Sequence, residues 1–91
     1  MTKLEESRAK IDAIDAQLTQ LFEQRFEEVK KVIEYKLEHH MPILNESREE
    51  IIVHKNESLI QDDDIRPYFL LWYKEMLALS KEYQQEIRDS Q

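Results

Sequence analysis

Glycine and cysteine are absent from the 91 residues, and proline occurs only at positions 42 and 67. Tight β-hairpins draw on glycine for positive φ, so its absence argues against a sheet protein and for helices joined by few turns. The lack of cysteine excludes disulfide staples and thiol chemistry, and leaves the redox compartment open. No apolar run approaches the roughly 20 residues of a membrane span, and the opening MTKLEESRAK lacks the apolar core of a leader. The expected setting is therefore the cytosol, with no membrane partner. Basic residues are in deficit, 13 against 20 acidic ones, giving a net charge of −7. Such a surface repels nucleic acid and anionic lipid, so any bound anion must sit on a local cluster of cations.

What is present reads as one all-α domain over residues 1–91, with three helices. The first opens on the capping box Thr2-Lys3-Leu4-Glu5 and carries an apolar stripe through Leu4, Ile11, Ile14, Leu18, Leu21, Phe22, Val29, Val32, Ile33 and Leu37. Nothing breaks it before about His40. Roughly 37 residues at about 1.5 Å each make a rod of about 55 Å. A compact chain of this length has a radius of gyration of only about 12 Å. The rod overhangs any such body, and a second copy in a twofold homodimer is the simplest way to cover its stripe.

Pro42 bars helical geometry at Met41, and Asn45 is a good N-cap for a second helix from about Glu46 to about Leu59. Its inward side is expected to be Ile51, Ile52, Lys55 and Leu59. The turn Gln61 to Asp64 is expected to cap a third helix with Pro67 in its first turn, running to about Arg88. That helix carries Ile65, Phe69, Trp72, Tyr73, Met76, Leu77, Tyr83 and Ile87 on its apolar side.

Polar residues interrupt both long stripes. Arg25 falls on the first helix's seam between Phe22 and Val29, and Lys36, 11 residues on, lies about 20° around and about 16 Å along. Ser80 and Gln84 form an i, i+4 pair on the third helix's apolar side. Arg48 sits in the first turn of the second helix, where the macrodipole disfavours a cation. Taken singly, a seam Arg pairs with a neighbour such as Glu28, and a core Ser or Gln is simply satisfied. Together they describe a closed positive pocket in an acidic protein, suited to a small polyanion. His39 and His40 point about 100° apart and do not make a chelating pair, and Asp62 to Asp64 lack the glycine and spacing of a calcium loop, so no metal is expected.

The segments SRAKIDAIDAQLTQLFEQRF, KKVIEYK, PILNESREE and ALSKEYQ, in that order, resemble the all-α class of chorismate mutases across nearly the whole chain. The resemblance implies an interlocked homodimer of three-helix chains that converts chorismate to prephenate without a cofactor. It places the site on Arg8, Arg25, Lys36, Arg48, Glu49, Ser80 and Gln84. By this resemblance Arg8 and Arg25 grip the two carboxylates of the substrate, and Lys36 bridges a carboxylate and the breaking ether oxygen. Gln84 donates to that oxygen from the other side, Glu49 accepts from the substrate hydroxyl with Arg48 beside it, and Val32 and Leu77 form apolar walls. One position departs from the pattern, Asn45 standing where the family usually has Asp. Arg8 lies about 25 Å and about 100° from Arg25 on one straight helix, so it can serve only the partner's site. An isochorismate pyruvate lyase on the same scaffold, or a non-catalytic helical interaction or regulatory module, are the alternative functions.

Overall fold

The protein, described here over residues 1–91 by a computed structural model, consists of three helices: α1 (Lys3–Glu38), α2 (Glu46–Glu57) and α3 (Arg66–Asp89). Thr2 caps α1, its hydroxyl oxygen accepting the Glu5 N–H at 3.1 Å. The expected box is only half formed, because the Glu5 carboxylate takes the Thr2 hydroxyl proton instead of the Thr2 backbone N–H. At the other end of α1 the Met41 N–H reaches the Lys36 carbonyl at 2.8 Å and His40 adopts φ 55°. This is a Schellman ending with a histidine at the left-handed position that glycine usually fills. The reversal aims Pro42–Asn45 back along α1 toward the start of α2.

Asn45 caps α2 as expected, its side-chain oxygen accepting the Arg48 N–H at 3.1 Å. The other end of α2 is closed from α3: the Arg66 guanidinium donates to the carbonyls of Glu57 (2.6 Å) and Ile60 (2.8 Å). Asp62 to Asp64 do not cap α3, whose N-cap is Ile65 with no side-chain bond. Asp63 instead pairs with Arg66 at 2.8 Å and holds it on those carbonyls. A carboxylate with an adjacent guanidinium available makes the stronger, charge-assisted bond.

α3 is the centre of the fold, with α1 on one side and α2 on the other. Phe26 meets Tyr83 at 5.3 Å between ring centroids and Arg25 meets Ser80, so α1 and α3 run parallel. Asn56 meets Tyr73 and Glu49 meets Lys81, so α2 runs antiparallel to α3. The inward face of α2 differs from the expected one: Ile52, Val53, Asn56 and Glu49 turn toward α3, while Ile51, Lys55 and Leu59 are exposed. The Asn56 amide, donating to the Tyr73 hydroxyl at 3.0 Å, fixes that rotation. It also gives the inward position to Tyr73 and leaves Trp72 half-exposed.

The core is small. Only Ile33, Tyr73 and Leu77 are buried apolar residues, and the half of α1 before Phe22 buries nothing. Leu4, Ile11, Ile14, Leu18 and Leu21 all stand open to solvent on that half. The molecule measures 55 × 26 × 15 Å, with a radius of gyration of 16.6 Å against the roughly 12 Å of a compact chain of this size. The overhang expected from helix length is present. No helix is long and apolar enough to cross a membrane.

Candidate active site

Two of the five buried residues are polar, and they are the Ser80 and Gln84 singled out by their spacing. They lie one turn apart on α3. Ser80 donates to the Met76 carbonyl at 2.9 Å and accepts from Arg25 Nη1 at 2.5 Å. The seam cation thus bonds α3 and not Glu28, which pairs with Lys31. The side-chain oxygen of Gln84 is buried with no hydrogen-bond partner. Leaving a buried amide unsatisfied costs about 1–3 kcal/mol, so such a group calls for a ligand or partner to complete it.

Lys36 is half-buried near the end of α1 and donates to the Ile43 carbonyl at 2.7 Å, an acceptor supplied by the Pro42–Asn45 segment. Burial lowers the pKa of its amine from the ordinary 10.5, and the negative charge of Glu49 partly offsets this. Glu49 is held by Lys81, with Nζ 3.2 Å from Oε1 and 3.4 Å from Oε2. The carboxylate of α2 therefore stands among cations from α1 and α3. Lys81 is a neighbour that periodicity does not single out, since a lysine one residue past Ser80 reads as solvated surface until the rotation of α2 is known.

The remaining expected residues are placed unevenly. Leu77 is buried and, with Val53, Glu49 and Lys81, lines a groove of about 680 Å³ between α2 and α3. Val32 is 45% exposed and lines a separate cleft with Tyr35, Lys36 and Met41. Arg25 faces an apolar cleft with Leu18, Phe22, Trp72 and Met76, and Lys36 a separate, more polar one with Leu44, Asn45, Glu46 and Ser47. Arg48 is exposed, and its side chain makes no ion pair with Glu49 or any other residue of the chain. Arg8 is exposed on the projecting half of α1, remote from all of these. His39 stacks on Tyr35 at 3.9 Å between ring centroids.

Fold and site together define the class: an all-α protein whose half-buried cations, gathered beside a buried polar pair, suit a small carboxylate ligand. Residues 7–85 match the family model of chorismate mutase type II, and the chain belongs to that family. It is an isomerase, converting chorismate to prephenate in the biosynthesis of aromatic amino acids. The lyase and interaction-module alternatives find no support in the match. Comparison with curated proteins and with solved structures finds no match to this chain.

Proposed function

We propose that the chain rearranges chorismate in two identical composite sites of a twofold homodimer, each built on Arg25, Lys36, Arg48, Glu49, Ser80 and Gln84 of one protomer and Arg8 of its partner. The rearrangement is intramolecular and pericyclic, so no nucleophile has to be generated and no electrons change hands. The protein holds the folded conformer and stabilises charge on the ether oxygen as the bond breaks. Arg25, already anchored by Ser80, takes one carboxylate in bidentate fashion, and Arg8 of the second chain takes the other. Lys36 leaves the Ile43 carbonyl for the substrate, bridging a carboxylate and the ether oxygen. Gln84 turns its amide N–H to the opposite side of that oxygen, and Glu49 accepts from the ring hydroxyl. Leu77 and Val32 wall the ring.

The observation that carries this reading is the buried Gln84 side chain, its amide oxygen without a partner, one turn from the bond between Ser80 and Arg25. The dimer is supported by the apolar residues left open on α1 from Leu4 to Leu21 and by Arg8 at their side, too far along the rod to serve its own Arg25. Burying such a stripe contributes roughly 25 cal/mol per Å² of apolar surface. Sedimentation at micromolar concentration is expected to give a single species of twice the chain mass, together with loss of chorismate absorbance on adding protein. A folded, active monomer would refute the composite site.

Lys36 sets the alkaline limit. Only the charged amine serves the ether oxygen, and in the free protein burial lets it lose its proton below 10.5. The value of kcat/KM, which reports the free enzyme, is therefore expected to fall on the alkaline side at a pH below 10.5, while kcat holds to higher pH because the bound dianion restores the proton. The stability linkage has the opposite sign. The folded chain binds this proton less tightly than the unfolded one, so the penalty is present at neutral pH and fades as pH rises toward 10.5. Parallel pH profiles of kcat and kcat/KM check the limb, and coincident profiles would remove Lys36 from the ether oxygen.

A further inference from the structure

Four ion pairs occur in the chain, and three of them join residues no more than three positions apart. The fourth, Lys81 with Glu49, joins two helices, with both side chains only about a third exposed, 33% and 29%. Elsewhere at least one partner is 68% exposed or more. Both oxygens of Glu49 lie within reach of the Lys81 amine, at 3.2 and 3.4 Å. Lys81 follows Ser80 directly and precedes Gln84 by one turn, so the same stretch of α3 that carries the buried polar pair also presents this cation to α2.

A second cation lies within the influence of the same carboxylate without pairing with it. The charge of Glu49 acts on Lys36, yet the Lys36 amine bonds the neutral Ile43 carbonyl. Were Glu49 released from α3, Lys36, on which its charge already acts, would be open to pair with it. The two would then neutralise each other in a partly dehydrated setting where ion pairs are strong. That collapse would remove the substrate's acceptor and its ammonium donor at once. We infer that Lys81 is a positioning residue that tethers the Glu49 carboxylate to α3, leaving an oxygen lone pair for the substrate hydroxyl and keeping Lys36 free of an internal counter-ion.

This rests on the assignment of Glu49 to the substrate hydroxyl, and the experiment separates the two. Lys81→Met keeps the stem and removes the charge. It is expected to lower kcat/KM about tenfold, the size of coupling usual between contacting charged groups, with Lys81→Arg retaining most activity. In a Glu49→Gln background the same change should cost less than twofold, because its target is gone. Affinity for prephenate by calorimetry supplies the same cycle where turnover is too slow to read. A loss that persists in full in the Glu49→Gln background would mean that Lys81 contacts substrate directly and would overturn the tether. So would a lowered melting temperature with kcat/KM unchanged, the mark of a merely structural bridge. If Glu49→Gln alone changes neither kcat/KM nor prephenate affinity, the hydroxyl assignment itself fails. Should Lys81→Met lose its helical signal, Lys81→Gln, whose shorter and uncharged side chain removes the ion pair while staying polar, carries the same test.

Discussion

Mixing Arg8→Ala protein with Arg25→Ala protein under subunit exchange is expected to restore activity to about a quarter of wild type, although each variant alone is nearly inactive. Removing one preorganised charge donor typically costs about 3–4 kcal/mol of transition-state stabilisation, enough to silence either homodimer. Arg25 is half-buried on α1 against α3 while Arg8 is exposed on the projecting half of α1. With Arg8 serving the partner's site, the two lesions fall in the same site when chains of both kinds pair. In such a heterodimer one site carries both defects and the other is whole. Random pairing makes about half of the dimers mixed, and half of their sites work. Both variants retain the residues of the core, so exchange can be followed by mass while activity is assayed. Mixtures that exchange and stay inactive would leave Arg8 outside the site.

Gln84→Glu is expected to lose about 10²–10³-fold in kcat at neutral pH and to recover as the solution is acidified. An amide N–H donates at any pH, whereas a carboxyl donates only when protonated. The new carboxylate would also face an ether oxygen gaining negative charge. Burial at this position, 7% exposed in the wild type, favours the neutral acid and brings the recovery within reach of mildly acidic assays. Wild type should show no matching gain between pH 6 and 8, as its donor does not titrate. Gln84→Ala should be inactive throughout, which separates loss of the donor from the new charge. A pH-independent Gln84→Glu profile would remove this side chain from the reacting oxygen.

How much of this could be read from residues alone follows from what kind of contact made each feature. The length and stripe of α1 were legible because helical periodicity is local, and the overhang followed from arithmetic on rise per residue. Ser80 and Gln84 were legible as polar groups at apolar positions. The face of α2 was not: its stripe is Glu49, Ile52, Val53 and Asn56, and two of these four are polar, so hydrophobicity points to Ile51 and Leu59 instead. That face is fixed by Asn56 on Tyr73 and Glu49 on Lys81, both contacts across helices. The ending of α2 was hidden for the same reason, since Arg66 reaches back over nine residues to Glu57 and draws Asp63 away from capping α3. The left-handed turn at His40 carries no signal in a chain without glycine.

The hold of Ile43 on Lys36 bears on how tightly the anion is bound as well as on how it reacts. A free lysine stem gives up about 2 kcal/mol of rotamer freedom when its ammonium is fixed. Here the left-handed turn at His40 brings a peptide oxygen over the amine, and folding itself orders the stem. An arriving carboxylate exchanges one acceptor for another on a side chain that has stopped moving, so the entropy of immobilising Lys36 belongs to folding and is subtracted from the stability of the protein, leaving more of the ion-pair energy to appear as affinity.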